Sequence, residues 1–99
     1  MSVYMIIESQ VRDATLYRQY IQSVAPIVER YGGRYLVRGG KVTPLGSEWN
    51  PERVIILEFP AEENVMQWLA SPEYQKIAPL REQGAATKAV LVEGVTGKA

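Results

Sequence analysis

The chain contains neither histidine nor cysteine among its 99 residues. Without an imidazole there is no neutral-pH base, no Ser-His-Asp triad and no His-ligated zinc or haem. Without a thiol there is no thiolate nucleophile, redox dithiol or iron–sulfur ligand. Net charge is missing as well: Lys plus Arg and Asp plus Glu each total 11. That balance creates no field to attract nucleic acid or an anionic membrane. No apolar run approaches the ~20 residues of a membrane span. The start, MSVYMIIESQ, lacks the basic and long apolar regions of a secretory signal. Gly39-Gly40 opens no phosphate-binding loop, since neither GxxxxGK[ST] nor a helix follows. These absences predict a cytoplasmic protein with no nucleic-acid or membrane partner, no metal and no cofactor. Chemistry is left to carboxylates, Tyr, Lys, Arg, Ser and the backbone.

What is present is an alternation of short β-branched runs and amphipathic stretches. Val3 to Glu8 reads as a strand, with Tyr4, Ile6 and Glu8 on one face and Val3, Met5 and Ile7 on the other. Asp13 is placed to cap a helix whose stripe is Leu16, Tyr20, Val24, Ile27 and Tyr31. Pro26 predicts a kink, and Gly32-Gly33 the end, one of them in the left-handed region. Arg34 to Gly40 is a second strand, with Arg34, Leu36 and Arg38 opposite Tyr35 and Val37. Lys41 to Pro51 is dense turn chemistry, and Arg53 to Phe59 a third strand. A helix over 61–70 turns Val65, Met66 and Leu69 inward. Ser71-Pro72 starts another helix towards Gly84, with a break expected at Ala78-Pro79. Lys88 to Glu93 is the last strand.

The order β-α-β-β-α-β predicts an α+β fold, the ferredoxin-like split βαβ unit. It gives one domain over 1–95 and a flexible tail over 96–99. Right-handed crossovers put the helices on one side of a four-stranded antiparallel sheet. The first and third strands are expected as parallel neighbours at its centre. The uncovered face then carries Tyr4, Ile6, Glu8, Leu36, Arg38, Val54, Ile56, Glu58 and Leu91. So apolar a face predicts a partner subunit, a homodimer closing a barrel.

The segments YGGRYLVRGG, WNPERVIILEFP and SPEYQKIAPLR, with the closing VLVEG, resemble the uncharacterised family called domain of unknown function 1330. The resemblance runs in order from about Val3 to Gly94. It implies membership of the dimeric α+β barrel superfamily, and so the fold and the homodimer, but no activity. That superfamily includes cofactor-free monooxygenases, muconolactone-isomerase-like enzymes, haem-dependent chlorite dismutases and stress-responsive proteins. Their ligands generally sit between helices and sheet or within the barrel. The His-ligated haem branch and His-based acid/base chemistry do not carry over to a chain without histidine.

Arg38 and Glu58 head the candidate site. Placed on one face of neighbouring strands, they offer a guanidinium fork for a carboxylate or enolate and a carboxylate base. The same two residues also read as a cross-strand ion pair at the dimer interface. Glu8, at the same strand end as Glu58 if the strands are parallel, reads either as its carboxylate partner or as a solvated residue. Trp49 and Asn50 form a flap over a pocket, or else an interface plug and a turn. Arg53 adds to an anion site or pairs with Glu48 or Glu52. Tyr74 and Arg81, two turns apart, reach the cleft mouth or stand as a packed Tyr with a solvated Arg. Tyr20 and Tyr35 are assigned to the core. The expected ligand is a small carboxylated or aromatic molecule, with cofactor-independent monooxygenase- or isomerase-like turnover. A non-catalytic ligand-binding or regulatory module and a purely structural dimer are the alternatives.

Overall fold

A computed structural model describes residues 2–46 and 48–95; the expected tail at 96–99 lies outside the described residues. The elements run β1 (Val3–Val11), α1 (Ala14–Arg30), β2 (Arg34–Arg38), β3 (Arg53–Phe59), α2 (Glu62–Ala70), α3 (Pro72–Gly84) and β4 (Ala85–Glu93). They form one sheet in the order β2-β3-β1-β4. Every neighbouring pair is antiparallel, β1 against β3 included. The expected parallel pairing of β1 and β3 is therefore corrected. A crossover leaves β2 parallel to β1, and the chain reverses between β2 and its antiparallel neighbour β3, so β3 must oppose β1.

The caps act where the sequence places them. The Asp13 carboxylate accepts from the backbone N–H of Thr15 and of Leu16, both at 3.1 Å. This satisfies two of the donors that a helix start leaves open. At the other end Gly32 adopts φ +88°, and the Gly33 N–H returns to the Val28 carbonyl at 2.9 Å. Helix α1 continues through Pro26. Ser71 accepts from the Tyr74 N–H at 3.1 Å and starts α3, which runs unbroken past Ala78-Pro79 to Gly84.

The core lies between the helices and one face of the sheet. Val28, Leu57 and Phe59 are fully enclosed there, with Tyr17, Tyr20, Val24 and Ile27 from α1. On α2 the buried residues are Val65 and Trp68, while Met66 points out. The inward role expected of Met66 thus belongs to Trp68, three residues beyond Val65 on the same face.

A β-bulge decides where the charges go. Arg34 pairs with Glu58 and Tyr35 with Leu57, but then Val37 pairs with Ile56 and Arg38 with Ile55. Leu36 is the extra residue. One inserted residue reverses the facing of everything after it. Val37 therefore lies on the uncovered face, and Arg38 turns to the helix side. Leu91 also faces inward, opposite Met5, and its place outside is taken by Val90 and Val92.

Candidate functional site

Between α1, α3 and the sheet lies a cavity of about 50 Å³, walled by apolar residues such as Ile7, Val24, Ile55 and Leu57. Its polar lining is unusual. Arg38, Arg53 and Arg81 all border it, and no carboxylate does. A recess of about 270 Å³ adjoins it, sharing Tyr20, Trp68, Arg81 and Thr87 and adding Tyr74. It too has no acidic residue in its walls.

Each arginine is held by aromatic or hydroxyl groups. The Arg38 guanidinium sits over the Tyr35 ring, 4.6 Å from its centroid, and that of Arg53 over the Tyr17 ring at 5.6 Å. Gly39, with φ +72°, leaves the room that the Arg53 guanidinium fills; a Cβ there would collide with it. Arg81 donates from Nε to the Tyr74 hydroxyl at 3.2 Å and from Nη1 to Thr87 Oγ1. The Tyr74 and Tyr20 hydroxyls are hydrogen-bonded at 3.1 Å, and the Tyr17 hydroxyl donates to Ser9 Oγ at 3.1 Å. Burial, followed by Tyr74, pushes the Tyr20 phenol far above its ordinary range. Two buried donors in these walls have no hydrogen-bond partner among the described residues: Arg53 Nε and Trp68 Nε1.

The uncovered face is a separate place. Across it run two rows, Val37–Ile56–Ile6–Val90 and Arg34–Glu58–Tyr4–Val92. Arg34 Nε donates to Glu58 at 2.5 Å, and the Tyr4 hydroxyl donates to it at 3.1 Å. The bonds from Arg34 and then Tyr4 hold the Glu58 carboxyl below its usual range. The same bond to Glu58 raises the Tyr4 phenol. Further along, Glu8 lies opposite Val54 and Lys88 and accepts from Trp49 Nε1 at 2.7 Å. Trp49 borders a groove with Val54, Leu45 and Pro51, whereas Asn50 is exposed and lines neither cavity nor groove.

The expected site residues thus divide between two faces. Arg38, Arg53, Tyr74 and Arg81 gather at the helix side, while Glu8, Glu58 and Trp49 stay on the other. The juxtaposition of Arg38 with Glu58 is corrected by the bulge, and that of Glu8 with Glu58 by the antiparallel register: Glu58 faces Tyr4, four residues from Glu8. Sequence reasoning left Tyr17 and Trp68 out and gave Tyr20 and Tyr35 to the core alone. The available signal was the 65/68 spacing on α2 and the 17/20 spacing on α1, each of which sets two side chains on one helix face.

The Glu58 cluster has a stability consequence. A carboxyl whose folded pKa is lowered contributes stability above its ordinary value of 4.5, and loses it as pH falls through the folded value. Melting temperature is expected to decline on acidification below that value, and Glu58→Gln to flatten the decline. A remainder persists from Glu73, lowered by its own backbone N–H, then by Arg30 and Tyr31. Identical pH–melting curves for the two proteins would remove the cluster from the account.

A single sheet layered by helices on one face, with a guanidinium-rich cavity between, defines a ferredoxin-like α+β protein. The chain belongs to the family described as Domain of unknown function (DUF1330), whose model matches residues 2–95. Among solved structures it is similar to the RPA0582 protein of unknown function from Rhodopseudomonas palustris. There the identity is 19%, the TM-score 0.79, and the match covers 96% of this chain and 83% of that one. SnoaB, a cofactor-independent oxygenase from Streptomyces nogalater, is similar at 13% identity and TM-score 0.67, covering 98% and 96%. A dimeric ferredoxin-like protein of unknown function from Jannaschia sp. CCS1 matches at 10% and 0.67, covering 95% and 100%. At these identities the likeness shows the fold. No curated protein matches. Among the described residues no helix is long and apolar enough to cross a membrane.

Proposed function

We propose that the chain forms a homodimeric α+β barrel whose helix–sheet cavity binds a small carboxylated or otherwise anionic aromatic molecule. The observation that carries this reading is the cavity wall: Arg38, Arg53 and Arg81 border it with no carboxylate among the described lining residues, and the contact of Arg81 Nη2 with Glu82, outside the wall, is a long one at 4.0 Å. Guanidinium groups in a partly desolvated, apolar pocket favour an anion far more than they do in water. Aromatic rings around them suit a flat body. The dimer is supported by the bare apolar row Val37–Ile56–Ile6–Val90 on the opposite face.

Turnover without a cofactor is the second reading. It takes support from the oxygenase named for the Streptomyces nogalater structure of the same fold. Its base is not Glu58, which faces away from the cavity and is held ionised by Arg34 and Tyr4. Such chemistry has to rest on the ligand's own reactivity and on the tyrosines.

A thermal-shift screen of benzoates, phenols, quinones and sugar acids tests the binding reading. A ligand at 100 times its dissociation constant adds roughly 2.7 kcal/mol, a shift of several degrees in a domain this size. Protection by anions is expected to vanish in Arg38→Ala and persist in Glu58→Gln. Protection lost in Glu58→Gln and kept in Arg38→Ala would move the site into the barrel. Protection by neutral analogues alone would reject the anion.

A further inference from the structure

The cavity is short not only of negative charge but of hydrogen-bond acceptors. Ser9 Oγ already accepts from Tyr17, and Thr87 Oγ1 from Arg81. Donors are in surplus. Trp68 is 2% exposed, and among the described residues neither its indole N–H nor the buried Arg53 Nε has a partner. An indole N–H and a guanidinium N–H can only donate, so no rearrangement among themselves satisfies them. Each such group costs free energy until an acceptor arrives.

The tyrosine pair adds a third donor, because the one hydrogen bond between its two hydroxyls uses only one of their two protons. Arg81 Nε can only donate, so the Tyr74 oxygen accepts from it. The Tyr74 hydroxyl has one further partner among the described residues, Tyr20. Either hydroxyl can donate in that bond, and in both cases one proton of the pair is left over. With Tyr74 donating, the Tyr20 oxygen accepts and the surplus proton is that of Tyr20. Tyr20 borders both the cavity and the adjoining recess. Its phenol stays protonated because burial disfavours the phenolate.

Resting on the binding reading above, we propose that Tyr20, Trp68 and Arg53 form a donor set for one ligand oxyanion, with Tyr74 and Arg81 as positioning residues that orient the Tyr20 hydroxyl. The ligand class narrows to an apolar or aromatic body bearing an anionic oxygen, carboxylate or phenolate/enolate. Ile7, Ile55 and Leu57 wall the cavity around its apolar part, and the recess has room for a ring. Preorganised donors in a dry site favour the anion over its conjugate acid, because the neutral form leaves them poorly satisfied.

The test uses 4-nitrophenol, whose absorbance separates phenol from phenolate, with benzoate as the carboxylate arm and benzyl alcohol as the neutral one. Bound nitrophenol is expected to ionise at least about one pH unit lower than free, a tenfold preference for the phenolate. Tyr20→Phe and Trp68→Phe should each lose most of that shift. Tyr74→Phe should lose part of it through the Tyr20 orientation, and Glu58→Gln none. Benzoate is expected to compete and benzyl alcohol to fail. The shift in the unaltered protein needs no variant, so a misfolded substitution cannot rescue the proposal. Nitrophenol bound without a shift, or the same shift in Tyr20→Phe, overturns the donor set and leaves the binding reading standing. Failure of both nitrophenol and benzoate to bind overturns the two together.

Discussion

Trp68→Ala is expected to cost about 3–5 kcal/mol of stability, the range for an aromatic removed from a closed core. Two ring contacts are lost with the indole. The indole stacks on Phe59 with centroids 5.5 Å apart and tilts against Tyr74 at 4.9 Å. The backbone carbonyl of residue 68 accepts from Ser71 Oγ at 2.7 Å, a bond that alanine keeps. Emptying the position therefore loosens α2 against the sheet through Phe59 and against α3 through Tyr74. Trp68→Phe is the informative control. It keeps a ring on Phe59 and removes the N–H that has no partner, so its loss should be well under that of alanine. Urea midpoints at one fixed protein concentration measure both, since association shifts apparent stability. An alanine loss below about 1 kcal/mol would mean that the indole is not packed as described.

The sequence's caps and strands were legible because they are local. Asp13, Ser71-Pro72 and the Arg53–Phe59 run act through neighbours within a few residues, and each does in the structure what its chemistry predicts. The candidate site was not legible to the same depth, and the cause is one residue. Arg34, Leu36 and Arg38 alternate as regularly as any strand, and nothing in that pattern marks Leu36 as an insertion. The bulge is set by pairing with β3, a partner almost twenty residues away. It separates Arg38 from Glu58 and delivers it to the cavity with Arg53 and Arg81. Arg53 beside Arg38 is as the sequence suggests, whereas Glu58, expected with Arg38, lies across the sheet from it. Trp68 was lost to a similar ambiguity, because Val65 shares a helix face with residues three or four on and Met66 was taken in its place. The strand direction follows from element order alone: the crossover sets β2 parallel to β1, and the reversal into β3 opposes it.

The other large effect belongs to the uncovered face: Ile6→Lys is expected to turn a dimer into a monomer. Ile6 lies mid-strand on β1, one of the two central strands, between Ile56 on one side and Val90 on the other. Val90 is 58% exposed in the isolated chain and Val92 45%, an apolar display with no helix over it. A second copy laid face to face would cover the row and leave the Arg34–Glu58–Tyr4 and Glu8–Trp49 clusters flanking it. In such an isologous contact each substitution enters twice. Two unpaired ammonium groups then face low-dielectric surroundings, a cost of about 4 kcal/mol or more, or roughly a thousandfold in dissociation constant. Light scattering on a sizing column should give the unaltered protein at twice the 11.1 kDa chain mass and Ile6→Lys at the single value. Glu62→Lys, on the exposed first turn of α2, should remain dimeric. A monomeric unaltered protein would reject the barrel outright. A dimer that survives Ile6→Lys would move the interface off the sheet, and the helix–sheet cavity, built within one chain, would still have to be tested on its own.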